Sequence, residues 1–330
     1  MSDHPFAQFL RILGKGPKSR RSLTQQEASE ALQMILAGNV TDKQLGAFLL
    51  LMRANGESQD ELIGFVRGLR DYLKLSDLNS KIDLDWAAYA GKWRYPPYFL
   101  LSVKLLVENG YKILLHGDAG QFDNRSYVES FLAPLNFKQA CSLSGANTLL
   151  NQNQAVYLPL SCYAPQLREI LHLKSEIGVR TVFNTAVKLL NPLNAKKSMQ
   201  GIFHKGVENL HHGASSVNGT ECNLVFKGEG GEPEIRPDAL SHLYFSRHQT
   251  DQESVFEDVI FQSVTERHIR PKTWQEEDLF ALWNGTKEDV YGQQSVIATT
   301  AVALMLMESL DQPTALQRAD AFWIKRSAGC

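Results

Sequence analysis

The spacing of apolar residues changes period once along this chain, near Lys81, and that change demands two unlike parts. Before it, apolar residues recur every three or four positions. Ser22-Leu23-Thr24-Gln25-Gln26-Glu27 opens this pattern as a capping box: Thr24 can accept from the first helix amides, and Glu27 can reach back. Ala28, Leu32, Ile35 and Leu36 follow at helical spacing, and Gly38-Asn39 closes the helix with residues that tolerate a left-handed turn. Thr41 restarts the chain before Leu45, Phe48, Leu49 and Met52, and Asn55-Gly56 stops it. Ser58 then begins a third helix carrying Leu62, Phe65, Val66, Leu69 and Leu73. Three short, tightly connected helices make a small helical domain, taken as residues 1–78, whose leftover apolar surface suits a subunit interface.

After Lys81 the period is that of strands. Residues 82–86 and 111–115 read as strands, with an apolar helix over 98–107 between them. Further strands are expected at 155–158, 199–203, 222–226 and 240–245, and helices at 293–309 and 314–325. Strands alternating with helices predict an α/β domain over 79–330 with a mostly parallel central sheet. Its functional loops should lie at the carboxyl ends of the strands. The longest apolar runs, 46–52 and 301–307, fall far short of a membrane span. Cys141, Cys162, Cys222 and Cys330 stand apart with no C-x-x-C pair, which argues against a zinc module or a disulfide scaffold. They suit a reducing compartment, and with no basic-then-apolar leader a cytoplasmic location is expected.

The catalytic signatures of other classes are missing. There is no G-x-S-x-G, no P-loop and no H-E-x-x-H. His204, His211 and His212 have no acidic or cysteine partner at ligand spacing and read as surface or capping residues. Among 330 residues, 34 Lys and Arg against 36 Asp and Glu give a net charge of −2, which excludes a uniformly basic coat protein. A locally basic cleft remains open.

Two stretches carry a family resemblance. Gly38-Asn39-Val40-Thr41-Asp42-Lys43-Gln44-Leu45-Gly46-Ala47-Phe48-Leu49, with Met52-Arg53 and Gly56-Glu57-Ser58 after it, resembles the amino-terminal helices of anthranilate phosphoribosyltransferases. Gly178-Val179-Arg180-Thr181-Val182-Phe183-Asn184, running to Leu190-Asn191-Pro192, resembles a second signature of that family. His116-Gly117 and Gly228-Glu229-Gly230-Gly231 fall at matching places after strands. The resemblance implies the nucleoside phosphorylase/phosphoribosyltransferase-like fold and a homodimer formed through the helical parts.

The same resemblance makes the departures visible. The family's phosphate loop is glycine-threonine-glycine-glycine-aspartate, because glycines let backbone amides approach a pyrophosphate. Here it is Ala87-Ala88-Tyr89-Ala90-Gly91-Lys92-Trp93-Arg94, with one glycine left, and Pro96-Pro97 opens the next helix. The family's magnesium-organising aspartate-glutamate pair falls at Pro233-Glu234, leaving Glu234 as a residual metal candidate that Glu229 or Glu232 would have to assist. Leu115 stands where a lysine is expected before His116, and Lys174 where an arginine would bind the amine's carboxylate.

Lys92 and Arg94 put two cations where the phosphate loop stood, which resembles a divergent branch that binds DNA and lacks the transferase activity. The nucleic-acid residues expected on this reading are Tyr89, Gly91, Lys92, Arg94, His116, Arg125, Lys174, Arg180, Lys188, Lys196 and Lys197, with Lys205 beside them. Tyr89, Trp93 and Tyr95 interleave with these cations as stacking platforms for single-stranded DNA or RNA, or else fill core. Lys196-Lys197 could equally be a solvated pair, and Arg180 a helix tether. No catalytic residue, cofactor or membrane is assigned. The alternative is a pentosyltransferase using phosphoribosyl pyrophosphate and magnesium in a rearranged site.

Overall fold

A computed structural model describes residues 3–78, 81–152, 155–248, 254–271 and 273–326. Four helices come first: α1 (Ala7–Leu13), α2 (Gln25–Leu36), α3 (Asp42–Asn55) and α4 (Gln59–Tyr72). Each of the last three starts on a complete capping box, Thr24 with Glu27, Thr41 with Gln44 and Ser58 with Glu61. In all three the side chains satisfy amides that have no partner within the helix. α1 is additional to the sequence pattern. It has no side-chain cap and is fixed by burying Phe9 and Leu13, with Phe6 packed edge-on against Phe48.

Eight strands form one sheet: β1 (Leu84–Ala88), β2 (Ile113–Gly117), β3 (Lys138–Gln139), β4 (Ala155–Pro159), β5 (Lys197–Ile202), β6 (Cys222–Lys227), β7 (Ser241–Arg247) and β8 (Val255–Phe261). Their order is β3-β4-β2-β1-β5-β6-β7-β8. All pairs are parallel except β6 with β7 and β7 with β8. The chain runs outward from β1 through β2 to β4 and β3, then returns to place β5 on the other side of β1. That reversal opens a crevice at the carboxyl ends of β1 and β5, where open α/β sheets hold their ligands.

Side chains alternate between two cores along the strands. Leu84, Trp86 and Ala88 of β1 face one core together with the helices Tyr98–Glu108 and Val290–Glu308. Ala87 of β1 and Leu114 of β2 face the other, shared with α1 to α4 and with Val182 to Leu190. Val290–Glu308 meets the length and composition of a membrane span, which the sequence runs did not reveal, but most of it lies buried inside this fold.

Arg70 of α4 ties the helical part to the segment that leads into β5. Its buried guanidinium donates to the carbonyls of Leu190 and Asn191 and to Asn194 Oδ1. Burial lowers its pKa to about 10, with Asp85 and Asp71 opposing that shift. Arg70→Met should destabilise the protein by about 2 kcal/mol, because it leaves these acceptors without their donor. Urea unfolding of the variant measures this, and an unchanged midpoint would remove Arg70 from the joint.

Candidate functional site

The loop after β1 turns at Gly91, whose φ of +68° favours glycine, and a Cβ there would lie 2.8 Å from the Tyr127 ring. The turn points two backbone amides at one spot. Glu232 fills it: Oε1 accepts from Ala90 N at 2.8 Å and from Gly91 N at 2.5 Å. Glu232 is held there because segment 228–234 lies flat on the strand ends. A Cβ on Gly201 would meet the Glu232 carbonyl carbon at 2.3 Å, and one on Gly228 its oxygen at 1.6 Å. Burial raises the Glu232 pKa, opposed by Lys188 and by the two amides.

A second internal pair lies beside the first. Lys92 Nζ donates to Glu234 Oε1, and Glu234 Oε2 accepts from Phe99 N at 2.8 Å. Both side chains are almost wholly buried. Burial pushes the Glu234 carboxyl up to about 7, although Lys92 pulls it down. Beneath the loop, Tyr89 Oη bonds His116 Nδ1 at 2.9 Å and Tyr163 Oη at 3.1 Å. His116 Nε2 lies 3.3 Å from Asp85, which accepts from Ser198 Oγ at 2.9 Å.

Several residues expected in an open basic groove are therefore elsewhere. Lys92 is buried on Glu234, so Glu234 has a partner after all. Tyr89 and His116 are buried in a hydrogen-bonded network, and the Gly91 amide is already taken. Tyr95 is buried and stacks on Tyr291 rather than offering a platform. Lys196 and Lys197 precede or open β5, which puts them at the amino end of the sheet, and Lys196 pairs with Glu221 at 2.7 Å. Lys188 lines the crevice but donates to the Gly201 and Gly231 carbonyls, and burial lowers its pKa to about 8. His211 and His212 are core residues, bonded to Gln200 Oε1 and Ser246 Oγ, not surface ones. Among the described residues no acidic, histidine or cysteine cluster could hold a metal.

The remaining cations converge on a ring absent from the sequence reading, Phe122. Arg125 lies 4.0 Å from its centroid, Lys174 4.1 Å and Arg180 4.9 Å. Among the described residues none of the three has a carboxylate within 4.0 Å; Arg125 also donates to the Ala90 carbonyl. Half-buried Trp93 continues the platform, with Arg125 at 3.9 Å, Arg94 at 4.9 Å and Phe203 stacked at 6.0 Å. Arg180 also lines a cavity of about 170 Å³, together with Arg53, Thr181 and Asn184. The aromatic between Gly120-Gln121 and Arg125 was the available sequence signal for Phe122.

Residues 7–73 match the helical bundle domain of a glycosyl transferase family, and residues 126–322 match its α/β domain. The chain belongs to this glycosyl transferase family. It is 27% identical to the anthranilate phosphoribosyltransferase of Metallosphaera sedula over 67% of this chain and 64% of that one. It is 27% identical to that of Saccharolobus solfataricus over 66% and 63%. The matched region thus spans less than two thirds of these relatives' length. The fold is shared with anthranilate phosphoribosyltransferase from Saccharomyces cerevisiae in complex with PRPP and Mg, at a TM-score of 0.76, 16% identity, and 98% and 94% coverage. The Thermus thermophilus enzyme gives 0.70, 16%, and 97% and 94%. The two family matches leave residues 74–125 between them, which hold β1, the Tyr89–Arg94 loop and Phe122.

Proposed function

We propose that this family member binds single-stranded DNA or RNA through its phosphates, as a homodimer in the cytoplasm, and does not transfer phosphoribose. The observation that carries the reading is the trio Arg125, Lys174 and Arg180 around Phe122, with no carboxylate within 4.0 Å of any of them among the described residues. Like charges held together against an aromatic face favour an anion, and a repeated phosphate backbone supplies one at each step. The half-buried Trp93 beside them gives bases a stacking surface.

The fit to a sugar diphosphate with magnesium is poor in this arrangement. A diphosphate at the Ala90 and Gly91 amides would meet the Glu232 carboxylate, which already accepts both. A divalent cation at Glu234 would meet the Lys92 ammonium. Loss of the glycine pattern and gain of Lys92 belong together on this reading, since each replaces part of a ligand with a side chain.

A second reading has support of its own. The relatives are named anthranilate phosphoribosyltransferases, and Arg180, Thr181 and Asn184 of the shared signature do line the cavity. Two titrations separate the readings. Fluorescence anisotropy of a labelled single-stranded oligonucleotide should show binding whose log affinity falls with log salt by about 0.7 per neutralised phosphate. Calorimetry with phosphoribosyl pyrophosphate should show no saturable, magnesium-dependent heat. The opposite pair of results selects the transferase.

A further inference from the structure

A second cavity, of about 360 Å³, adjoins the first across Ile202, Phe203 and His204, which line both. Its size is within the roughly 300–1,000 Å³ of small-molecule sites. One wall is Phe203; another is Tyr244, with His242 stacked on it at 5.9 Å. Glu229 lines it too, 3% exposed, with an Oε1 that receives no hydrogen bond. The nearest cations among the described residues, Arg236 at 3.9 Å and Arg94 at 4.0 Å, pair with Glu229 beyond hydrogen-bond reach. The two arginines offset the charge, but a buried carboxylate oxygen that no donor reaches is costly unless something else supplies one.

We propose that this cavity is a guanine subsite, with the Glu229 carboxylate reading the base and Phe203 or Tyr244 stacking on it. The inference rests on the nucleic-acid reading above and names the base preference of that same groove. Guanine alone presents N1–H and an amino group side by side, matching two carboxylate oxygens. Adenine and cytosine set a ring acceptor beside their amino group, and thymine and uracil flank one N–H with carbonyls, so each would turn a lone pair toward Glu229. A peptide arginine offers paired donors as well, but its charge would enter among Arg94, Lys205 and Arg236. The same rim attracts a nucleotide's phosphate, whether the base belongs to a strand or to a free mononucleotide.

The test uses labelled thymidine oligomers carrying one central dG, dA or dC, with GMP, AMP and arginine amide as competitors. The dG oligomer should bind about tenfold tighter than the others, the discrimination of one good bidentate contact. In Glu229→Gln, a near-isosteric change, that preference should vanish, with the fold checked by circular dichroism. If no oligomer binds but GMP binds and Glu229→Gln abolishes it, the subsite stands for free nucleotides and the strand-binding reading fails. Equal affinity for all three oligomers, with GMP no better a competitor than AMP, overturns the subsite and leaves strand binding intact. Arginine amide outcompeting GMP overturns it in favour of a peptide.

Discussion

Lys92→Met should lower folding stability by about 3–5 kcal/mol at neutral pH, the loss expected when one partner of a buried ion pair is removed. Methionine can replace the aliphatic stem, so the packing loss is small. What remains is Glu234, wholly buried, with Phe99 N as its surviving donor. The effect should depend on pH. Burial already holds the Glu234 carboxyl at about 7, above its unfolded value, despite the opposing pull of Lys92. The folded state therefore binds more protons than the unfolded state between those two values. The stability this group contributes is fully present below the unfolded pKa and is lost as pH rises through the folded one. Without Lys92 the folded value climbs further, so the deficit should be largest above pH 7 and shrink on acidification. Urea unfolding at pH 5.5 and pH 8 reads this directly, and equal deficits would refute the buried pair. Lys92→Met with Glu234→Gln should recover most of the loss, since a neutral amide still accepts from Phe99 N.

That result changes what a Lys92 variant can say about binding. The family resemblance makes Lys92 and Arg94 an attractive pair to remove together, because they stand where it implies a phosphate loop. In the fold they have different roles: Lys92 neutralises Glu234 inside, while half-buried Arg94 lies over the Trp93 ring. A weakened double variant would report unfolding as readily as a lost contact.

Local rules explain why the helical part was legible. Thr24, Thr41 and Ser58 bond residues three positions on, so each helix start is written within four residues. α1 has no such cap and follows Phe6 directly, so only its tertiary contacts define it. Edge strand β8 exposes Val255, Phe256 and Ile260 around Glu257 and Asp258, which hides its alternation. The site was harder, because its decisive contacts cross the chain. Glu232 reaches Gly91, and Glu234 reaches Lys92, across more than a hundred residues. Residue type announced a cation at Lys92 but not the direction it points. Lys196 and Lys197 were different: a strand expected at 199–203 already put them at its amino end, away from the crevice.

Charge reversal at the Phe122 cluster is the strongest test of function. Lys174→Glu with Arg180→Glu should weaken single-strand binding about a hundredfold at low salt, since two phosphate contacts are lost and two repulsions gained. The salt slope should become shallower by about 1.4, which is two contacts at roughly 0.7 each. These two positions are chosen because their described contacts are with the Phe122 ring, whereas Arg125 also holds the Ala90 carbonyl. Relieving the crowding of three cations should leave folding stability unchanged or slightly higher, so a binding loss cannot be blamed on unfolding. Anisotropy across a salt series, paired with thermal unfolding, reads both quantities. An unchanged slope would move the nucleic-acid contact away from Phe122, and with it the observation on which the functional reading depends.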